Sequence, residues 1–224
     1  MGIKDWNKNE RPREKLLAKG VSSLSDAELL AILLRSGTRG MDAVSLARSL
    51  LKDFGSLRGV LTASLPQLKN HKGLGISAYT QFAVVREAGK RILAEEMQNL
   101  PQISDSKALG EYLRLSIGSE CVEVMLAILL DRQQRIISIE ELSRGSLSEH
   151  TVYIREVAKI ALDKHAAAMI IAHNHPAGSI LASDEDRIFT VRLKAALKLF
   201  DITLLDHFIV SANDTVSFAE QSWL

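Results

Sequence analysis

Ala172-His173-Asn174-His175-Pro176-Ala177-Gly178-Ser179-Ile180-Leu181-Ala182-Ser183-Asp184-Glu185-Asp186 leads from the end of an apolar segment, through a turn, into an acidic one. Residues two apart on an extended chain face the same side, so His173 and His175 can direct both imidazoles at one ion. Pro176 and Gly178 end the strand and turn the chain. Ser183 then has the pattern of a helix N-cap, with Asp186 at the third helical position, which returns a carboxylate towards the strand end. Two imidazoles and a carboxylate suit zinc, with ligand distances of roughly 2.0–2.2 Å, and leave a fourth tetrahedral position for water, as in catalytic sites.

The segments around this stretch alternate in type. The run Ala166 to Ala172 reads as a buried strand and Asp184 to Phe200 as a helix. Ahead of them, Val124 to Leu130 is continuously apolar and ends in Asp131-Arg132-Gln133-Gln134, after which Ile136, Ile137 and Ile139 suggest the second strand of a hairpin. Ser106 to Leu115 and Arg155 to Lys164 read as helices, and Ile202 to Leu205, Phe208 to Ser211 and Thr215 to Phe218 as three short strands. Mixed strands and helices of these lengths predict an α/β layer structure.

The first half reads as helices punctuated by glycine. Ser25 with Glu28 forms a capping-box pattern ahead of Leu29, Leu30, Ile32 and Leu33, with Gly37 as the stop. A second helix is expected from Asp42 to Gly55, a short one near Ser64 to Leu68, and a longer one after Gly75. Around Pro101 the periodicity is lost, so the expected domains are residues 1–98, helical, and residues 102–224, α/β.

Composition bounds the function classes. With 224 residues, 46% hydrophobic and 25% charged, the chain can form one large core or two small ones. Met1 to Lys15 is dense in charge and lacks a signal peptide's apolar region, and no apolar run reaches membrane-span length, so a soluble cytoplasmic protein without membrane partners is expected. Cys121 stands alone, which excludes an internal disulfide and a cysteine-ligated metal. Residues 1–100 hold 16 Lys and Arg against 10 Asp and Glu, whereas residues 101–224 hold 12 against 17. The mildly basic first half falls short of a polybasic tract.

The spacing His173-x-His175-Pro176-x-Gly178, four residues, then Ser183-x-x-Asp186 resembles the JAMM motif of the MPN metalloprotease fold at every position. Leu129-Leu130-Asp131-Arg132, Arg144-Gly145-Ser146-Leu147, Arg155-Glu156-Val157 and Leu205-Asp206-His207 further resemble the RadC-like branch of that fold. The resemblance implies a cytidine-deaminase-like α/β domain in which His173, His175 and Asp186 bind one Zn2+ per chain and Ser183 helps stabilise an oxyanion. It also implies a glutamate base on an early strand. Spacing alone leaves Glu120, Glu123, Glu140, Glu141, Glu149 and Glu156 open; the family's position falls at Glu123, with Glu120 as the alternative. The implied activity is a zinc metallopeptidase or isopeptidase acting on a peptide or protein.

The first half is similar to a helix-hairpin-helix module with its turn at Gly73-Leu74-Gly75, which implies weak DNA binding. The following helix nevertheless opens without Lys or Arg until Arg86. A DNA-associated protein and a non-catalytic scaffold are therefore the alternatives to a hydrolase. His207, between two expected strands, is assigned to satisfying core polar groups, His165 to a helix C-terminus, His71 and His150 to the surface, and Cys121 to packing.

Overall fold

The structure, a computed structural model, describes residue 3 and residues 6–98, 106–145 and 152–224. Residues 99–105, the expected linker, together with Glu149 and His150, lie outside the described residues. Two compact units divide at Gly89/Lys90.

The first unit is helical: α1 (Pro12–Lys19), α2 (Asp26–Leu34), α3 (Ala43–Phe54), α4 (Leu57–Thr62), α5 (Leu65–Lys69) and the first part of α6 (Ile76–Gln98). Local caps set most of the boundaries. Ser25 and Glu28 form the expected capping box on α2, and Ser64 with Gln67 makes another on α5. Asp42 accepts from the N–H groups of Val44 and Ser45 to start α3, and Gly55, at φ 78°, ends it in the left-handed conformation that glycine adopts without a Cβ clash. Contrary to the expected stop at Gly37, α2 ends at Leu34, with Arg35 as its cap at φ 68°. Gly37 has another reason to be glycine, since a Cβ there would collide with the backbone of Met41. The core packs Leu30, Val44, Leu46, Leu50, Val60, Leu68 and Phe82. Burying each such side chain contributes about 1.5–3 kcal/mol relative to exposure. Gly73, in the Gly-x-Gly turn, has φ +85° and stands against the Thr38 side chain, so backbone conformation and packing account for it without a nucleic acid.

The second unit is α/β. The sheet has the order β2-β1-β3-β4-β5, from β1 (Glu123–Leu130), β2 (Ile136–Gly145), β3 (Ala168–Asn174), β4 (Thr203–Val210) and β5 (Thr215–Ser217). The β1–β2 hairpin is antiparallel, β1 also pairs antiparallel with β3, and β3 runs parallel to β4. The parallel pair needs a crossover, which α9 (Asp184–Lys198) supplies. One sheet face carries Val124, Leu126, Ile128, Ala172 and Phe208 against α7 (Ser106–Ser116) and Met97 of α6. The other carries Ala127, Leu129, Met169 and Ile171 against α8 (Ile154–Asp163) and α9. Both faces are covered, which is why β1 and β3 read as unbroken apolar runs rather than alternating ones.

One correction concerns β4. Ile202 to Leu205 and Phe208 to Ser211 are not two strands but parts of one continuous strand. Asp206 and His207 interrupt the hydrophobic pattern without interrupting the backbone, because each finds buried partners. Asp206 accepts from the Ser217 hydroxyl and the N–H groups of Ala219 and His207. No described helix is long and apolar enough to cross a membrane.

Candidate metal centre

The centre forms where β3 ends and α9 begins. In the β1–β3 register Met125 stands opposite His173, so one further step sets Val124 across from Asn174 and Glu123 across from His175. His173 lies on the sheet face that α9 covers. Ser183 caps that helix reciprocally with Asp186: the Asp186 N–H donates to Ser183 Oγ (3.1 Å), and the Ser183 N–H (2.9 Å) and hydroxyl (2.7 Å) donate to Asp186 Oδ2. The cap thus locks the rotamer that turns Asp186 Oδ1 towards His173 Nε2, 3.1 Å away. Asp186 Oδ2 is 3.6 Å from His175 Nε2, and the two Nε2 atoms are 2.9 Å apart.

The protons on these rings decide what the cluster can hold. His175 Nδ1 is 3.0 Å from the carbonyl oxygen of Ser179, which can only accept, so Nδ1 carries the proton and Nε2 of the neutral ring is a bare lone pair. His173 Nδ1 is 2.8 Å from His207 Nε2 in the buried interior. Two imidazole Nε2 atoms and a carboxylate therefore converge on one point. Their ligand atoms all lie within 4.8 Å of one another. Atoms held at roughly 2.0–2.1 Å by a tetrahedral ion stand about 3.3 Å apart; the two Nε2 atoms are 2.9 Å apart, and one Asp186 oxygen lies 3.1 Å from His173 Nε2 while the other lies 3.6 Å from His175 Nε2. The donor set fits a small divalent cation of borderline softness, and the Ser179 carbonyl behind His175 is the outer partner such ligands use.

Without a metal, a proton does part of the same job. The hydrogen bond with Asp186 raises the His175 imidazole above its ordinary 6.5, with smaller help from Ser179 and the nearby Glu123 carboxylate. Burial works to raise Asp186, but the contacts of the His173 and His175 imidazoles with its carboxylate and the hydrogen bond from Ser183 outweigh it and hold the carboxyl well below 3.8. A raised histidine stabilises the fold fully below about pH 6.5 and loses that contribution as pH rises through its folded value; the lowered aspartate contributes above about 3.8 and loses it only in stronger acid. Chelator-treated protein is accordingly expected to lose melting temperature as pH rises above 6.5, and saturating zinc to remove the decline. A flat metal-free profile would contradict this arrangement of charge.

The glutamates separate sharply. Glu120 and Glu141 are ion-paired to Arg144 (2.9 and 2.8 Å), Glu140 to Lys164 (3.1 Å) and Glu156 to Arg155 (3.2 Å). Glu123 Oε2 is instead buried with no hydrogen-bond partner among the described residues, and its charge acts on His175.

Asn174, between the two histidines, was not singled out in sequence. It is fully buried; its Oδ1 accepts from the Val124 N–H (2.7 Å) and its Nδ2 donates to the carbonyls of Glu120 (3.3 Å) and Val122 (3.1 Å). The side chain clamps the start of β1, and with it Glu123, to the histidine strand. Asn174→Ala should lower unfolding free energy by about 1–3 kcal/mol for each group left buried and unpaired, read from urea denaturation. Thr190 and His207 are further partners, one turn beyond Asp186 and on β4. His207 is buried as expected, whereas Cys121 is exposed rather than packed, because it lies in the turn before β1. His165 sits just past α8 at φ 54°, and His71 lies 3.6 Å from the Asp53 carboxylate, tilted against Phe54.

Residues 103–223 match the family described as the RadC-like JAB domain, and residues 3–80 match the UPF0758 N-terminal family. A UPF0758 protein of Neisseria meningitidis serogroup A is 56% identical over 220 residues, 98% of each chain. UPF0758 proteins of Chromobacterium violaceum and Shewanella loihica are 49% and 47% identical over 224 residues, the whole of each chain. With the metal-type cluster at the expected end of the expected sheet, the chain belongs to the RadC-like JAB family, UPF0758.

Proposed function

We propose that this protein is a zinc-dependent hydrolase of the JAMM type that cleaves an amide or isopeptide bond in a peptide or protein. The observation that carries the reading is the pairing of the convergent cluster of His173, His175 and Asp186 with the buried Oε2 of Glu123, which has no partner among the described residues. A structural ion alone needs no free carboxylate next to it; a hydrolytic centre does.

His173, His175 and Asp186 would hold the ion. When bound, zinc supplies a Lewis acid that polarises the scissile carbonyl and lowers the pKa of water to about 7. Glu123 Oε2 takes the proton that the attacking water gives up and delivers it to the leaving amine nitrogen, so that water is added across the C–N bond. Ser183 can turn its hydroxyl from Asp186 Oδ2 to the oxygen that gains charge, while its Oγ continues to accept from the Asp186 N–H. Cap and oxyanion donor are compatible because the first uses the lone pair and the second the proton.

The test is a screen of zinc-loaded protein against quenched fluorescent peptides and lysine-isopeptide conjugates. Chelator-sensitive cleavage of at least one class is expected. A fully loaded protein that cleaves none would favour a non-catalytic scaffold.

A further inference from the structure

His173, unlike His175, has no backbone carbonyl behind it; it has a second histidine, and behind that a hydroxyl. Thr190 Oγ1 lies 2.6 Å from the carbonyl oxygen of Asp186 and 2.6 Å from His207 Nδ1. Thr190 is 1% exposed and His207 is fully buried. The hydroxyl owns one proton for two neighbours. A carbonyl oxygen can only accept, and two oxygens at 2.6 Å without a proton between them repel, so the proton goes to Asp186. Thr190 Oγ1 is then an acceptor towards His207 Nδ1, which must carry a hydrogen. Full burial disfavours an imidazolium, so with its hydrogen on Nδ1 the His207 ring presents Nε2 as a lone pair. That lone pair faces His173 Nδ1 at 2.8 Å, which must therefore be protonated.

We propose that Thr190 and His207 are positioning residues that fix His173 as the Nδ1–H tautomer and so keep its Nε2 bare for the metal. Run in reverse, the same chain would place a hydrogen on His207 Nε2, empty His173 Nδ1 and cap the ligand atom with a proton. The direction is set by Thr190, two hydrogen bonds from His173, and the carbonyl that orients it belongs to Asp186, itself a member of the cluster. The helix that delivers the carboxylate thus also sets the tautomer of the facing histidine. This inference rests on the metal reading above but concerns proton placement, which exists without the metal.

The experiment compares wild type, Thr190→Val and Thr190→Ser. Valine keeps the shape and loses the acceptor; serine keeps the hydroxyl. Zinc affinity is measured by competition with a chromophoric chelator, and the ring nitrogens of His207 are read by 15N spectroscopy in the metal-free proteins. Wild type and Thr190→Ser should carry the His207 proton on Nδ1 and bind zinc alike. Thr190→Val should bind zinc roughly 10–100-fold more weakly, the usual loss on removing an outer-shell partner, with a mixed or inverted His207 tautomer. Serine rescue separates this from a packing defect, since serine fills the space less well than valine. Valine protein that binds as tightly as wild type, or a wild-type His207 protonated on Nε2, would overturn the proposal. Wild type that binds no zinc would sink the hydrolase reading, and the ring spectrum would then decide the relay by itself.

Discussion

Glu123→Gln is expected to retain zinc at the wild-type level while hydrolysis falls by about 10²–10⁴-fold, the usual contribution of a positioned general base. The substitution is nearly isosteric, and Oε2 has no hydrogen bond to lose. Thermal stability should therefore change little. What is lost is the capacity to accept a proton, together with the negative charge that acts on His175. Parallel measurements on Glu120→Gln sharpen the assignment. Its carboxylate is committed to Arg144, so that variant should lose at most the small contribution of an exposed ion pair and keep its turnover. Equal losses in both variants would mean that the region is perturbed structurally and that Glu123 has no special role.

Asp186→Asn should abolish metal binding while leaving α9 formed. An asparagine can still accept from the Ser183 N–H and hydroxyl through its one oxygen, so the cap survives. Its amide nitrogen then replaces Oδ1 and points an N–H at His173 Nε2, 3.1 Å away in the wild type. The cluster acquires a fixed donor in its centre and loses its single negative ligand. The weakening should exceed the roughly 10–100-fold expected for an outer-shell partner, with the circular-dichroism helix signal unchanged. Zinc binding that survives this substitution would show that the ion is held elsewhere.

Much of this was legible because the chain announces its boundaries locally. The Ser25 and Ser183 caps, the hairpin after Leu130 and the strand ending at Asn174 depend on neighbours in sequence, and the metal motif lies within fourteen residues of chain from His173 to Asp186. Features that depend on tertiary partners were less visible. Asp206 and His207 look like a strand break, yet they sit within β4 because Ser217, Ala219, Thr190 and His173 satisfy them from distant segments. The helices α1 and α4 went unread: α1 is short and starts from a proline rather than a side-chain cap, and α4 carries Gly59 in its middle. Spacing leaves six glutamates equivalent; burial and ion pairing separate those described, and neither is a property of spacing. Thr190 gives a faint signal in being one helical turn beyond Asp186, which only the position of His207 makes meaningful.

The central claim is that His173, His175 and Asp186 hold a catalytic zinc. Its most direct test is elemental analysis of protein purified without chelators or a histidine tag, beside a His173→Ala, His175→Ala double variant. About one zinc per chain is expected in the wild type, as for a single site, and none in the variant. Wild-type protein that is metal-free and also fails to take up added zinc would contradict it.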